Sequence, residues 1–199
     1  RNDIKSVFAG LRPLVAPEGD KSNTKEISRG NKIIHSESGL ITIVGGKWTT
    51  YREMSKDVIN DAIENHNLKR SPSKTKSLSI HGNISTNEKL GLNGVLWVYG
   101  SDAKQLMKLT ETDASYKNKL HHNYEYTVGQ VIWSARYEMA RTVEDVLARR
   151  FRLLFLDAQV SIDIAEKVAN ILQKELNKTE DWKQNQIEEF TTLAKGYLI

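Results

Sequence analysis

Leu40-Ile41-Thr42-Ile43-Val44-Gly45-Gly46-Lys47-Trp48-Thr49-Thr50-Tyr51-Arg52 changes character twice within a few residues. The apolar run Leu40 to Val44 reads as a buried strand, and the glycine pair lets the backbone turn sharply. A helix follows at once, with Thr50 and Glu53 at the spacing of a capping box. A strand–glycine–helix junction aims unpaired backbone N–H groups at whatever sits above the turn, and Lys47 adds a full positive charge there. The chemistry implied is reception of an anionic or electron-rich group.

Outward from that junction, the pattern divides the chain. Val7 to Ala9 and Ile33-Ile34 are further short apolar runs set among turn residues, as in strands. Tyr51 to Glu64 places Met54, Val58 and Ala62 on one helical stripe. The polar, basic stretch Lys69-Arg70-Ser71-Pro72-Ser73-Lys74-Thr75-Lys76 then reads as a solvated linker.

Beyond it the periodicity is helical. Glu88 to Tyr99 reads as helix, and Ser101 as the cap of a helix carrying Ala103, Leu106 and Met107. Thr127 to Met139 sets Val128, Val131, Ile132, Ala135 and Met139 on a stripe. Thr142 and Asp145 have capping-box spacing, Asp157 precedes a long helix through Leu176, and Thr179 opens the last one. The fold class expected is α+β, mainly α. Residues 1–70 form a β-containing piece, 71–82 a linker and 83–199 an all-helical domain. The first piece has too few strands to cover both faces of a sheet.

Composition narrows the function classes. The 199 residues carry a formal charge of +4, with 29 basic side chains dispersed among 25 acidic ones, a pattern that does not mark a nucleic-acid partner. No apolar run approaches the length needed to span a bilayer. With no cysteine there are no disulfides, thiolate metal sites or thiol nucleophiles, which suits a reducing cytoplasm. The start at Arg1-Asn2-Asp3, without methionine, reads as a cut inside a longer protein.

Cations cluster in the first piece. Arg12 lies in Gly10-Leu11-Arg12-Pro13, Arg29 in Ser28-Arg29-Gly30, and Lys47 follows the glycine pair beside the hydroxyls of Thr49 and Thr50. Arginine's planar fork suits phosphate. Spacing alone is equally met by surface arginines and glycines that merely turn the chain. His35 is a candidate base, read more simply as a surface histidine. His121-His122 lacks companions at ligand spacing, so no metal site is expected. The charged residues Glu138, Arg141, Glu144, Asp145, Arg149 and Arg150 suit ion pairs one turn apart or fixation of the helical domain. Arg149-Arg150-Phe151-Arg152 with Leu153 to Leu156 fits either a buried helix end or contact with acidic lipid.

Several blocks together resemble the FAD-dependent glycerol-3-phosphate dehydrogenases. They are Phe8-Ala9-Gly10-Leu11-Arg12-Pro13-Leu14, Ile27-Ser28-Arg29, and Ser38-Gly39 running through the stretch quoted first. Leu96-Trp97-Val98-Tyr99-Gly100-Ser101 and Tyr137-Glu138-Met139-Ala140-Arg141-Thr142-Val143-Glu144-Asp145-Val146-Leu147-Ala148-Arg149-Arg150 are similar to the family's C-terminal helical domain. So is Arg152-Leu153-Leu154-Phe155-Leu156-Asp157.

The resemblance implies oxidation of sn-glycerol 3-phosphate at C2 to dihydroxyacetone phosphate, with hydride passing to FAD and electrons to membrane quinone. By the same carry-over, Arg12 and Arg29 hold the substrate phosphate, and Lys47 is the catalytic cation. Gly45, Gly46, Lys47, Trp48 and Thr49 contact the isoalloxazine. No Gly-x-Gly-x-x-Gly occurs in the chain, so the N-terminal FAD region is implied as a missing partner, and the isolated fragment is expected to be inactive. The short separation of Arg12 from Arg29, from Pro13 to Ser28, favours a dehydrogenase over the related oxidases. A cytoplasmic location, peripheral on the membrane, fits that reading, and a homodimer is left open. The alternative is a helical protein-interaction module without catalytic activity.

Overall fold

A computed structural model describes residues 3–11, 30–84 and 94–199. The chain is mostly helical with one small two-stranded antiparallel sheet. It divides into two compact units, one formed by residues 10–79 and the other by residues 1–9 together with 80–199.

The smaller unit is a hairpin followed by a helix. Strands β1 (Asn31–His35) and β2 (Ile41–Gly45) pair in register, Asn31 opposite Gly45 and His35 opposite Ile41. Ser36 closes the turn: its N–H donates to the Leu40 carbonyl at 3.0 Å, and its hydroxyl accepts from the Leu40 N–H at 3.1 Å. After a 3-10 turn over Trp48–Thr50 the chain enters α1 (Tyr51–Asn65). No described residue of this unit is fully buried, so the strand Leu40 to Val44 expected to be buried is only partly covered. Among the described residues a hairpin and one helix are too few elements to enclose a core.

Capping here differs from the spacing argument. Thr50 does not cap α1. Its hydroxyl donates to the Lys47 carbonyl at 3.0 Å and accepts from the Lys47 N–H at 3.4 Å, one turn earlier. Glu53 pairs instead with Lys56, Oε1 to Nζ 2.8 Å. The 3-10 turn interposed between the glycines and α1 shifts the hydroxyl to the earlier backbone groups.

The larger unit opens with an extended segment, residues 3–9, expected above as part of the β-containing piece. It packs with the helices because backbone and side chains both engage them. The Lys5 carbonyl accepts from the Ala158 N–H at 3.1 Å, the Val7 N–H donates to the Tyr197 carbonyl at 2.9 Å, and the Ser6 hydroxyl donates to the Leu154 carbonyl at 2.7 Å. The Phe8 ring meets Phe155 edge-on at 5.0 Å.

The chain re-enters the unit at residue 80. Of the helix expected over Glu88 to Tyr99, residues 88–93 lie outside the described residues, and Gly94–Asp102 winds as 3-10 helix broken at Gly100. Gly100 has φ +52°, and a Cβ there would run into the Gly82 carbonyl. Ser101 therefore does not act as a cap; its N–H donates to that same carbonyl at 3.3 Å. The helices that follow are α2 (Ala103–Glu111), α3 (Val128–Tyr137), a π-helical turn (Asp145–Arg150), α4 (Leu153–Leu156), α5 (Ala158–Asp163), α6 (Ala165–Glu175) and α7 (Glu180–Lys195).

Helix α3 is the centre of the unit. Every residue from Gly129 to Ala135 is buried, because Val131 and Ala135 enter the main core while Trp133 enters a second cluster with Tyr99, Ala103 and Leu106. The main core joins Val143, Leu147, Leu154, Val168, Leu172 and Phe190. The buried polar residues of α3 are satisfied within it: the Ser134 hydroxyl donates to the Gln130 carbonyl at 2.8 Å, and Gln130 Oε1 accepts from the Thr127 N–H at 2.9 Å. Met139, expected on the buried stripe, is exposed with φ +58°, because the chain reverses there to start the next turn.

Three caps expected from spacing are formed. Asp145 Oδ2 accepts from the Thr142 N–H (3.1 Å) while the Thr142 hydroxyl accepts from the Asp145 N–H (3.0 Å). Asp157 caps α5 through the Val160 N–H at 3.1 Å, and the Thr179 hydroxyl accepts from the Trp182 N–H at 3.2 Å. The long helix after Asp157 is two helices, interrupted at Ile164.

Candidate functional site

The glycine pair sits where the hairpin ends. Gly45 and Gly46 have φ of +75° and +89°, values that only glycine adopts without strain. The Gly46 N–H donates to the Gly30 carbonyl at 2.9 Å, extending the hairpin by one bond past its last pair. A Cβ on Gly46 would meet the Met54 thioether of α1, so the bare backbone is what lets the helix lie against the turn.

Around this turn a cavity of about 420 Å³ is lined by Gly30, Asn31, Lys47, Thr50, Met54 and the carboxylates Glu53 and Asp57. Lys47 is exposed, and its ammonium makes no ion pair among the described residues. Glu53 is engaged by Lys56, whose hydrogen bond is the main reason its carboxyl is held below the ordinary value. The N–H groups of Trp48 and Thr49 lie at the start of the 3-10 turn, where the first donors of a helix have no partner within it. The Trp48 indole is 89% exposed, tilted 35° to the Tyr51 ring at 6.1 Å. This arrangement offers a positive charge, two free donors and a flat aromatic face: the donor set for a planar, electron-rich ring.

Of the residues singled out from sequence, the turn brings together Gly45, Gly46, Lys47, Trp48 and Thr49. Arg12 and Arg29 lie outside the described residues, though Gly30, next after Arg29 in sequence, lines the Lys47 cavity. His35 is at the opposite end of the hairpin. Its Nε2 lies 2.9 Å from Asp61 Oδ1, an ion-pair contact rather than an aligned hydrogen bond, and it joins β1 to α1. The His121 and His122 rings lie 4.1 Å apart at a tilt of 34°, and no three metal-ligating side chains converge among the described residues. The sequence placed Met54 on a helical stripe but assigned neither it nor Asn31 or Asp57 to the site; only the packing of α1 onto the turn brings them there.

The charged run of the larger unit is structural. Glu138 accepts from Trp133 Nε1 at 3.1 Å and faces Arg150 Nε at 3.7 Å; burial pushes its carboxyl up. Arg150 also donates to the Asp145 carbonyl at 2.9 Å and to the Glu138 carbonyl, and Arg149 pairs with Glu144 and Asp145. Arg141 donates to the carbonyls of Ala135 and Ala140 at 2.9 and 2.8 Å. These contacts fasten the end of α3 to the π-helical turn.

Comparison with known proteins places this architecture. A family profile described as the C-terminal domain of alpha-glycerophosphate oxidase matches residues 39–185. Proteins named glycerol-3-phosphate dehydrogenase, mitochondrial, from Macaca fascicularis and Homo sapiens are each 34% identical over 99% of this chain and 30% of their own length. The Schizosaccharomyces pombe protein of that name is 30% identical over the whole chain and 37% of its own length. The chain thus spans about a third of these relatives.

Proposed function

Because the chain belongs to the family of the C-terminal part of FAD-dependent glycerol-3-phosphate dehydrogenases, we propose that it forms part of an enzyme oxidising sn-glycerol 3-phosphate to dihydroxyacetone phosphate. Two electrons and two protons leave the C2 carbinol in that reaction and appear on a quinone as quinol. Bound FAD would supply the hydride acceptor between them. The observation that carries the reading is Lys47: a cation without an ion-pair partner among the described residues, beside two free backbone donors, in the block that matches the family.

The chain's own residues then have distinct tasks. The Lys47 ammonium stabilises negative charge that develops at the reacting group, since it is committed to no ion pair among the described residues. The N–H groups of Trp48 and Thr49 orient the ring by hydrogen bonds, and the Gly45-Gly46 backbone allows it to approach without a side chain intervening. Arg12 and Arg29 bind the substrate phosphate. The remaining two thirds of a protein of the relatives' length would supply the dinucleotide-binding fold, and the chain alone binds FAD weakly. Quinone as acceptor implies work at a membrane surface; no helix among the described residues is long and apolar enough to cross one.

In a protein extended to the relatives' length, Lys47→Ala slows flavin reduction in stopped flow, and Arg12→Ala raises the substrate concentration required. Normal reduction in both variants at ordinary substrate concentration would overturn these roles. The second reading, a helical interaction module, draws on the closed core of the larger unit. Flavin absorbance and activity recovered on mixing this chain with the separately made N-terminal region favour the enzyme. Partner binding that survives deletion of residues 10–79 favours the module.

A further inference from the structure

Lysine is a poor tool for holding a charge at one point. Its ammonium rides on a flexible four-carbon stem, so the space it samples is set by where its backbone is anchored. The Lys47 backbone is anchored from the start of α1. The Thr50 hydroxyl donates to the Lys47 carbonyl at 3.0 Å and accepts from the Lys47 N–H at 3.4 Å. The Thr50 N–H donates to the same carbonyl, also at 3.0 Å. One residue thus engages both main-chain groups of Lys47. The ordinary use of a threonine at this place is to cap its own helix, yet Thr50 makes no side-chain cap to α1. Its hydroxyl orders Lys47 instead.

A second contact reaches the turn from the next coil of the helix. The space that a Cβ on Gly46 would fill is taken by the Met54 thioether, and the Asn31 side chain comes within 3.7 Å of the same point. Gly46, at φ +89°, therefore presents bare backbone to α1, and an unbranched, polarisable side chain follows that surface closely. Two turns further along α1, Asp61 meets His35 of β1 at 2.9 Å. The helix is fixed to the hairpin at two places, and the residue before Lys47 lies at one of them.

We propose that α1 clamps the Lys47 turn, with Thr50 and Met54 as positioning residues that fix where the Lys47 ammonium acts on the flavin ring. The proposal rests on the flavin role given to Lys47 above. A fixed positive charge favours the reduced, more negative state of a ring beside it, and the effect falls with distance. A misplacement of about 1 Å at a reacting centre can cost up to about a hundredfold. Residues that touch neither ring nor substrate therefore matter to the reaction through the place they give to Lys47.

The test has two arms. In the full chain, amide NMR reads the mobility of Gly46 and Lys47. Both are expected to be rigid in the wild type, to loosen in Met54→Ala and Thr50→Val, and to recover in Met54→Leu and Thr50→Ser. In the flavin-loaded protein of the relatives' length, the flavin midpoint potential is measured. Met54→Ala and Thr50→Val are expected to shift the reduction equilibrium about tenfold toward the oxidised form, a fall of about 30 mV for a two-electron couple. Lys47→Ala shifts it further in the same direction, and the Leu and Ser variants stay close to the wild type. A merely structural role would lower the melting temperature and leave the potential of the bound flavin unmoved, and that result overturns the proposal. So do rigid Gly46 and Lys47 amides in Met54→Ala and Thr50→Val. An unchanged potential in Lys47→Ala overturns the flavin role of Lys47 and the positioning role with it. A potential lowered in Lys47→Ala alone overturns only the positioning role.

Discussion

The two units solve the burial problem in opposite ways. The larger one seals Leu147, Leu154, Val168 and Leu172 completely and satisfies Gln130, Ser134 and Asp157 inside its packing, whereas the smaller one buries none of its described residues. The first is a self-sufficient scaffold. The second is a hairpin and a helix that hold a turn in shape by backbone geometry, with His35–Asp61 and Gly46–Met54 as fastenings. Chemistry is proposed where the core is thinnest, as expected of a surface that another part of the protein must approach.

The sharpest way to break this contrast is core truncation. Leu154→Ala should destabilise the larger unit by about 2–5 kcal/mol, read by urea denaturation, while Ile43→Ala in β2 should leave that transition unmoved. A shared loss would mean that the two units unfold as one. Next in size is Gly100→Ala, expected to cost on the order of 3 kcal/mol, because the methyl group meets the Gly82 carbonyl and φ is positive.

Asp157 gives a smaller, pH-dependent effect. Burial raises its carboxyl, but the Val160 N–H, Lys5 and Tyr124 outweigh that and hold it below the ordinary 3.8. A depressed carboxyl contributes stability that is complete above the ordinary value and lost as pH falls through the folded one. Asp157→Asn should therefore lower the melting temperature at pH 7 and flatten the acid loss below about pH 4. Smallest is Thr179→Ala at the start of α7, about 1 kcal/mol. Hydrogen exchange locates the boundary between the units, with slow amides in α3 and α6 and fast ones in β1 and β2.

What was legible in the sequence is what local chemistry decides. Thr142 with Asp145, Asp157 and Thr179 are caps because each side chain reaches a backbone donor a few residues away. The glycine turn with Lys47 was legible for the same reason. Met139 and Ser101 were misplaced because tertiary events rule them: a chain reversal after α3, and the approach of Gly82 to Gly100. The burial of α3 on two sides was hidden by Gln130 and Ser134, polar residues whose partners lie in their own helix or on Tyr99. Val7 to Ala9 read as a strand but lie along the helices, since a short apolar run looks alike in both settings. Asn31 and Asp57 reach the Lys47 cavity only through the packing of α1, which no spacing encodes.

The attachment of residues 3–9 to α4, α5 and the end of α7 turns the smaller unit into a loop closed at both ends by its neighbour. A protease cut in the stretch 71–79 would then leave two pieces that do not part. The severed hairpin and helix would stay attached through the contacts of Lys5, Ser6, Val7 and Phe8. A nicked chain would migrate as one species under native conditions and as two in denaturant.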